Sequence, residues 1–156
     1  EALEETGILV GTADASVLPA RDLAWAREEL LEDRITFAEE LARLGARVAG
    51  DALEYLAHWI TPVREPRRYD TRFFAARVPE NARAVIDRRE MTEALWVPPA
   101  EGVRRAETGR LPMILPTVRT LEQLAPYGST EQVLSTLPGL AVPTILPASG
   151  RGETGR

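Results

Sequence analysis

The sequence predicts an α+β fold, and three observations carry that expectation. Apolar residues recur at helical spacing through the first third of the chain, at Leu23, Leu30, Leu31, Phe37, Ala38, Leu41 and Leu44, and Gly45 stops the pattern. An aromatic-rich run, Tyr69-Asp70-Thr71-Arg72-Phe73-Phe74-Ala75-Ala76-Arg77-Val78, has the character of a central strand. Further helix-type and strand-type segments follow it, within 156 residues, a length that suits one ordinary domain with a sizeable core.

Taken in order, residues 1–6 read as the last turns of a helix that Gly7 ends, followed by Ile8, Leu9 and Val10 as a short buried strand. Residues 11–20 form a loop of small residues. Asp22 is the expected N-cap of the long helix that reaches Gly45. A second helix is expected from Asp51 through Leu53, Leu56 and Trp59 to the break at Pro62, so that residues 20–59 make an inserted helical hairpin. A charged turn at 64–68 leads into the strand at 69–78, a polar connection at 79–89, and a short strand at Leu95, Trp96 and Val97. Helices are expected at 99–107, with proline in the first turn, and at 118–125 and 129–137. A strand from Val142 to Leu146 closes a single domain over 1–148, and the Gly- and charge-rich residues 149–156 read as a flexible tail.

Composition narrows the chemistry. The chain is 44% hydrophobic and 28% charged, a globular profile. No apolar run approaches the roughly 18 residues that span a bilayer, and the first residues are acidic where a secretory leader is basic, so a cytoplasmic location without membrane contact is expected. There is no cysteine, which excludes disulfides, thiolate metal sites and cysteine nucleophiles. All 19 basic residues are arginine, which removes lysine-based mechanisms. The net charge of −5 argues against a nucleic-acid backbone as partner. Ser16, Ser129 and Ser135 have no histidine near them in sequence, so a serine triad finds no support.

The residues that carry chemistry are Glu1, Glu4 and Glu5. On a helix, positions i, i+3 and i+4 share one face, so three carboxylates converge on one patch. Clustered carboxylate oxygens repel one another without a counter-ion and suit a hard cation, Mg²⁺ or Mn²⁺. The same pattern also describes a solvated acidic face, and the three residues alone do not choose between the two.

The surrounding run, Glu1-Ala2-Leu3-Glu4-Glu5-Thr6-Gly7-Ile8, resembles the end of the Nudix box, Arg-Glu-aliphatic-any-Glu-Glu-any-Gly-aliphatic. Downstream, Trp59-Ile60-Thr61-Pro62 and Arg67-Arg68-Tyr69-Asp70-Thr71-Arg72-Phe73-Phe74 are similar to segments of the Nudix branch that holds the peroxisomal coenzyme A diphosphatases and their bacterial relatives. Glu93-Ala94-Leu95-Trp96 resembles a later Glu-x-x-Trp stretch, and Leu115-Pro116-Thr117 with Leu121 and Leu124 a Pro-Thr and leucine helix of the same branch. The resemblance covers about residues 1–140. It implies a Nudix-like α/β/α sandwich with a mixed sheet, truncated at the N-terminus, because the first half of the box and the early strands are absent. A preceding segment of the same protein is then expected to complete the sheet.

The resemblance further implies a metal-dependent hydrolase of a nucleotide-containing small molecule linked through a diphosphate, such as coenzyme A or an acyl-CoA. Glu1, Glu4 and Glu5 would hold Mg²⁺ (or Mn²⁺) or orient the attacking water, and Glu93, or Glu90, would be the late glutamate that binds metal or serves as base. Arg67, Arg68 and Arg72, with Arg64, are candidates to clamp phosphate, set against a reading as solvated turn and outward strand positions. Asp70 reads as structural, capping the strand start or pairing with an arginine. His58 reads as packing at a helix end, and Trp25, Trp59 and Trp96 as core anchors. A non-catalytic Nudix-like binding or scaffold module is the alternative function, and the wide apolar stripe of the helical hairpin suits homodimerisation.

Overall fold

Short helices closed by specific capping residues dominate the first part of the chain. The computed structural model describes residues 2–10, 18–47, 49–80, 82–86 and 91–147. The molecule is α+β, with six α-helices and a three-stranded mixed sheet among the described residues. It divides into two compact units, Glu1–Leu53 with Ala76–Trp96 and Glu54–Ala75 with Val97–Arg156.

The first unit opens with α1 (Ala2–Thr6), which ends at Gly7 in the left-handed region at φ 71°, a conformation that costs glycine little. Ile8 to Val10 form no strand; the segment is irregular, and Leu9 is nonetheless buried against Leu3, Ala26 and Leu30. The expected loop at 11–20 lies outside the described residues over 11–17. The single helix expected over 22–44 is two, α2 (Ala20–Leu31) and α3 (Phe37–Arg43). Asp33 breaks it at φ 53°, and Thr36 then starts α3 with a reciprocal cap: Glu39 N–H donates to the Thr36 hydroxyl and Thr36 N–H to the Glu39 carboxylate at 2.8 Å. Asp22 is not an N-cap; Pro19 takes that position, and Asp22 lies in the first turn, where a negative charge complements the helix dipole. The core of this unit is aliphatic, with Leu18, Leu23, Ile35, Leu41 and Leu44 packed around its four buried residues.

The helix expected from Asp51 to Pro62 is a correction. One 3₁₀ turn at Gly50–Ala52 leads into β1 (Leu53–Ile60), a strand. Residues Leu53, Leu56 and Trp59 fit a helical period, but β1 is the central strand, hydrogen-bonded to β2 (Asp70–Ala76) on one side and to β3 (Thr144–Ile145) on the other. Leu56 and Ala57, successive residues on opposite faces of β1, are both buried, so its apolar residues need not alternate, and ladder pairing overrides local propensity. β3 runs parallel to β1, with His58 opposite Thr144 and Trp59 opposite Ile145. It is shorter than the expected 142–146 strand because Pro143 and Pro147 offer no N–H to a ladder.

α4 (Pro99–Glu107), α5 (Leu115–Leu124) and α6 (Thr130–Thr136) follow the expected pattern. α4 and α5 approach closely at Gly102, which is buried: a Cβ there would lie 3.1 Å from Leu121 Cδ1. Leu95, Trp96 and Val97 are not a strand; Pro98 and Pro99 hold the preceding chain extended and withhold N–H donors, and Leu95 and Trp96 are exposed. The second core gathers Leu56, Ala57, Trp59 and Leu137 with Phe73, Ala75, Leu124, Val133 and Ile145. The tail expected at 149–156 lies outside the described residues.

Candidate functional site

In the first unit the closing turn of α1 is tied down at every carbonyl. The Thr6 hydroxyl donates to the Ala2 carbonyl, Gly7 N–H to Leu3 at 2.9 Å, and Val85 N–H to Thr6 at 2.8 Å. Arg27 of α2 serves the two between them, its Nε donating to the Glu4 carbonyl at 2.7 Å and its Nη2 to the Glu5 carbonyl at 3.1 Å. The guanidinium thus sits at the negative end of α1 and offsets its dipole. Glu4 and Glu5 are neighbours on this short helix and half-buried. Glu4 lines a hollow of about 340 Å³ together with Leu30, Asp33, Arg34, Phe37 and Glu39. Two of its charged walls are already engaged: Arg34 grips Glu29 at 2.8 Å, and Glu39 belongs to the α3 cap.

Glu1 and Glu90 lie outside the described residues, so the third carboxylate of the expected set is not placed. Among the described residues no group of three His, Cys, Asp or Glu side chains stands close enough to hold a metal ion. Glu93 is exposed on the irregular segment before Leu95.

The arginine candidates belong to the second unit. Arg68 Nε donates to the Thr61 carbonyl at 3.1 Å, which closes the connection between β1 and β2, and the Thr61 hydroxyl accepts from Tyr69 N–H at 3.0 Å. Arg72 pairs with Asp70 at 3.1 Å, so Asp70 does meet an arginine. Arg67 lines a cavity of about 770 Å³, and Arg64 is exposed.

Two sequence readings need correcting here. His58 is not at a helix end: from the centre of β1 its Nε2 lies 2.7 Å from Asp70 Oδ1 on β2 and its Nδ1 2.8 Å from the Thr144 hydroxyl on β3. One ring therefore links all three strands, a role that only strand pairing reveals. Of the three tryptophans, Trp59 is buried, but Trp96 is 61% exposed and Trp25 is 43% exposed, with Arg43 stacked 4.3 Å over its ring. Sequence reasoning also passed over Glu40, 1% exposed and held by Arg43 through bonds of 2.6 to 3.0 Å.

A carboxylate-bearing helix closed by a left-handed glycine, in an α+β chain, is the setting that the end of a Nudix box requires, and sequence comparison relates the chain to that superfamily, on the side of its coenzyme A diphosphatase-like members. It is 30% identical over 152 residues to the acyl-coenzyme A diphosphatase NUDT19 of Gallus gallus, a match over 83% of this chain and 39% of that protein. It is 28% identical over 127 residues to a Caenorhabditis elegans protein named "Putative nudix hydrolase 7", over 80% of this chain and 41% of that one. The chain spans about two fifths of the length of these curated relatives. No family model and no solved structure matches it. No helix among the described residues is long and apolar enough to cross a membrane.

Proposed function

We propose that this chain carries the metal-binding glutamates of a Nudix diphosphatase that acts on a nucleoside diphosphate-linked compound, with coenzyme A or an acyl-CoA as the favoured substrate. The observation that carries the reading is α1 itself: Glu4 and Glu5 share a helix that Gly7 terminates at φ 71°, with its last carbonyls pinned by Arg27 and Val85. A fixed helix end holds the backbone of Glu4 and Glu5 in place, so only side-chain torsions remain to be set, and carboxylate oxygens suit Mg²⁺ or Mn²⁺.

In this reading Glu4 and Glu5 hold the cation, and Glu1 joins them or orients the attacking water. The ion, when bound, neutralises diphosphate charge and lowers the barrier to attack. Glu93, on an exposed and irregular segment free of ladder constraints, takes up the water's proton at a carboxylate oxygen. Arg67 is the first choice for phosphate contact, since Arg68 and Arg72 already hold Thr61 and Asp70. The rest of the box, in a preceding part of the same protein, and a cytoplasmic, homodimeric form belong to the same proposal.

The test is release of adenosine 3′,5′-bisphosphate from coenzyme A with Mg²⁺, comparing the chain with its Glu5→Gln variant. A loss of about 100-fold or more is expected, the low end of what a positioned acid–base or ligand carboxylate contributes. Equal, background-level rates in both proteins favour the alternative, a Nudix-like binding module.

A further inference from the structure

In the second unit, segments distant in sequence meet at one cavity of about 770 Å³, within the range of small-molecule sites. Its lining comes from residues 59–62 at the end of β1, from the run that leads into β2, and from the start of α5 at Leu115 and Pro116. Tyr69, Thr71 and Phe73 alternate along that run, so one face of the sheet supplies them. Among the described residues that line the cavity, only Glu65, Ile114 and Pro147 lie outside the segments that resemble the coenzyme A diphosphatase branch. The parts of the second unit that carry the resemblance thus build a single wall.

The charged residues on that wall are Arg67 and Glu65, which leave it with no net charge. Much of the rest is aliphatic, and Ile114 and Leu115 stay 69% and 50% exposed although both line the cavity, so apolar area remains open to a ligand. The two halves that diphosphate cleavage of coenzyme A yields differ on both counts. The nucleotide half carries an additional phosphate, which calls for further cations. The pantetheine arm is uncharged, bears two methyl groups close to the diphosphate, and offers a hydroxyl and two amides. The Thr71 hydroxyl can donate to or accept from such groups.

We infer that this cavity is a specificity pocket that takes the pantetheine arm of a coenzyme A-type substrate and not its nucleotide half. Arg67 receives the phosphate end of the arm, and the methyl groups and the chain beyond them lie against Phe73, Ile114 and Leu115. The inference rests on the hydrolase reading, which names the substrate, and adds which half of it the second unit recognises.

The experiment is calorimetric titration of the chain with the two halves separately, 4′-phosphopantetheine and adenosine 3′,5′-bisphosphate. Phosphopantetheine binds about tenfold or more tightly than the bisphosphate. Ile114→Asn, at an exposed position, weakens phosphopantetheine about tenfold, the scale of one aliphatic side chain's burial, and leaves the bisphosphate unchanged. Leu115→Asn does the same and serves if Ile114→Asn does not fold. Equal affinity for the two halves, no binding of either, or phosphopantetheine affinity unchanged in both variants overturns the inference. Hydrolysis separates its failure from that of the parent reading. Rates that fall in Glu5→Gln while phosphopantetheine does not bind reject the pocket alone. Equal background rates beside the expected discrimination support the pocket and reject the hydrolase.

Discussion

The two units treat a buried polar group in opposite ways. In the first, the Glu40 carboxylate is almost wholly enclosed, and Arg43 meets it with several charge-assisted hydrogen bonds while stacking on Trp25. In the second, Trp59 is buried with an N–H that finds no hydrogen-bond partner among the described residues. An interior that completes its own hydrogen bonds is finished as it stands; one that encloses an unpaired donor carries the cost of its lost water. The contrast extends to α1, whose terminal carbonyls are all met from within the first unit, whereas the N-terminus of α5 is left uncapped.

The sharpest way to break this comparison is Arg43→Ala. It strands the Glu40 carboxylate in the interior and should lower the melting temperature by on the order of 10 °C, because one half of a buried ion pair is worse than none. Replacing both residues by leucine should recover most of that loss. Trp59→Phe, by contrast, removes a donor that had no partner and loses only ring volume. If thermal denaturation finds the two single variants equally destabilised, the contrast between the interiors is wrong.

A smaller effect is expected from Arg27→Ala, which frees the Glu4 and Glu5 carbonyls. Two hydrogen bonds and a favourable dipole contact are lost, about 2 kcal/mol by urea denaturation. Because α1 then frays, divalent cation binding should weaken in the same variant, although no carboxylate has been touched.

The smallest expected effect is with pH. Hydrogen bonds from Arg34 hold the Glu29 carboxyl below the usual carboxylate range, those from Thr36 do the same for Glu39, and those from Arg105 and then Arg104 for Glu101. A group whose pKa is lower in the folded state binds its proton less readily there. These groups therefore add stability above the ordinary carboxylate pKa, and that stability is lost as pH falls through their lowered values. All three lie near solvent, so melting temperature should drop only modestly between neutral and acid pH. Thr36→Ala should flatten part of that slope; an unchanged slope would show that the α3 cap does not hold Glu39.

Much of this was legible in the chain, and the misses have physical causes. α4 was readable because Pro99 and Gly109 bracket it, and β2 because its aromatic run fits a strand and little else. The break between α2 and α3 also had a signal, since Thr36-Phe37-Ala38-Glu39 is a capping box ahead of an apolar run, but the long apolar period masked it. β1 could not be read locally: Leu53, Leu56 and Trp59 match a helix, and only the partners on both sides, one of them 86 residues away at Thr144, make it a strand. For the same reason the bridging role of His58 was invisible. In the candidate site, the helix that Glu4 and Glu5 share was legible from its end at Gly7, whereas Arg27 was not, because it acts on backbone carbonyls from 22 and 23 residues away.

The central claim, that the glutamates of α1 grip a divalent cation, is tested most directly by titrating Mn²⁺ into the chain and into a Glu4→Gln/Glu5→Gln double variant, following free Mn²⁺ by electron paramagnetic resonance. Binding should weaken by roughly 100-fold in the double variant, since each lost ligand carboxylate costs on the order of tenfold. Equal affinity in the two proteins would contradict the claim.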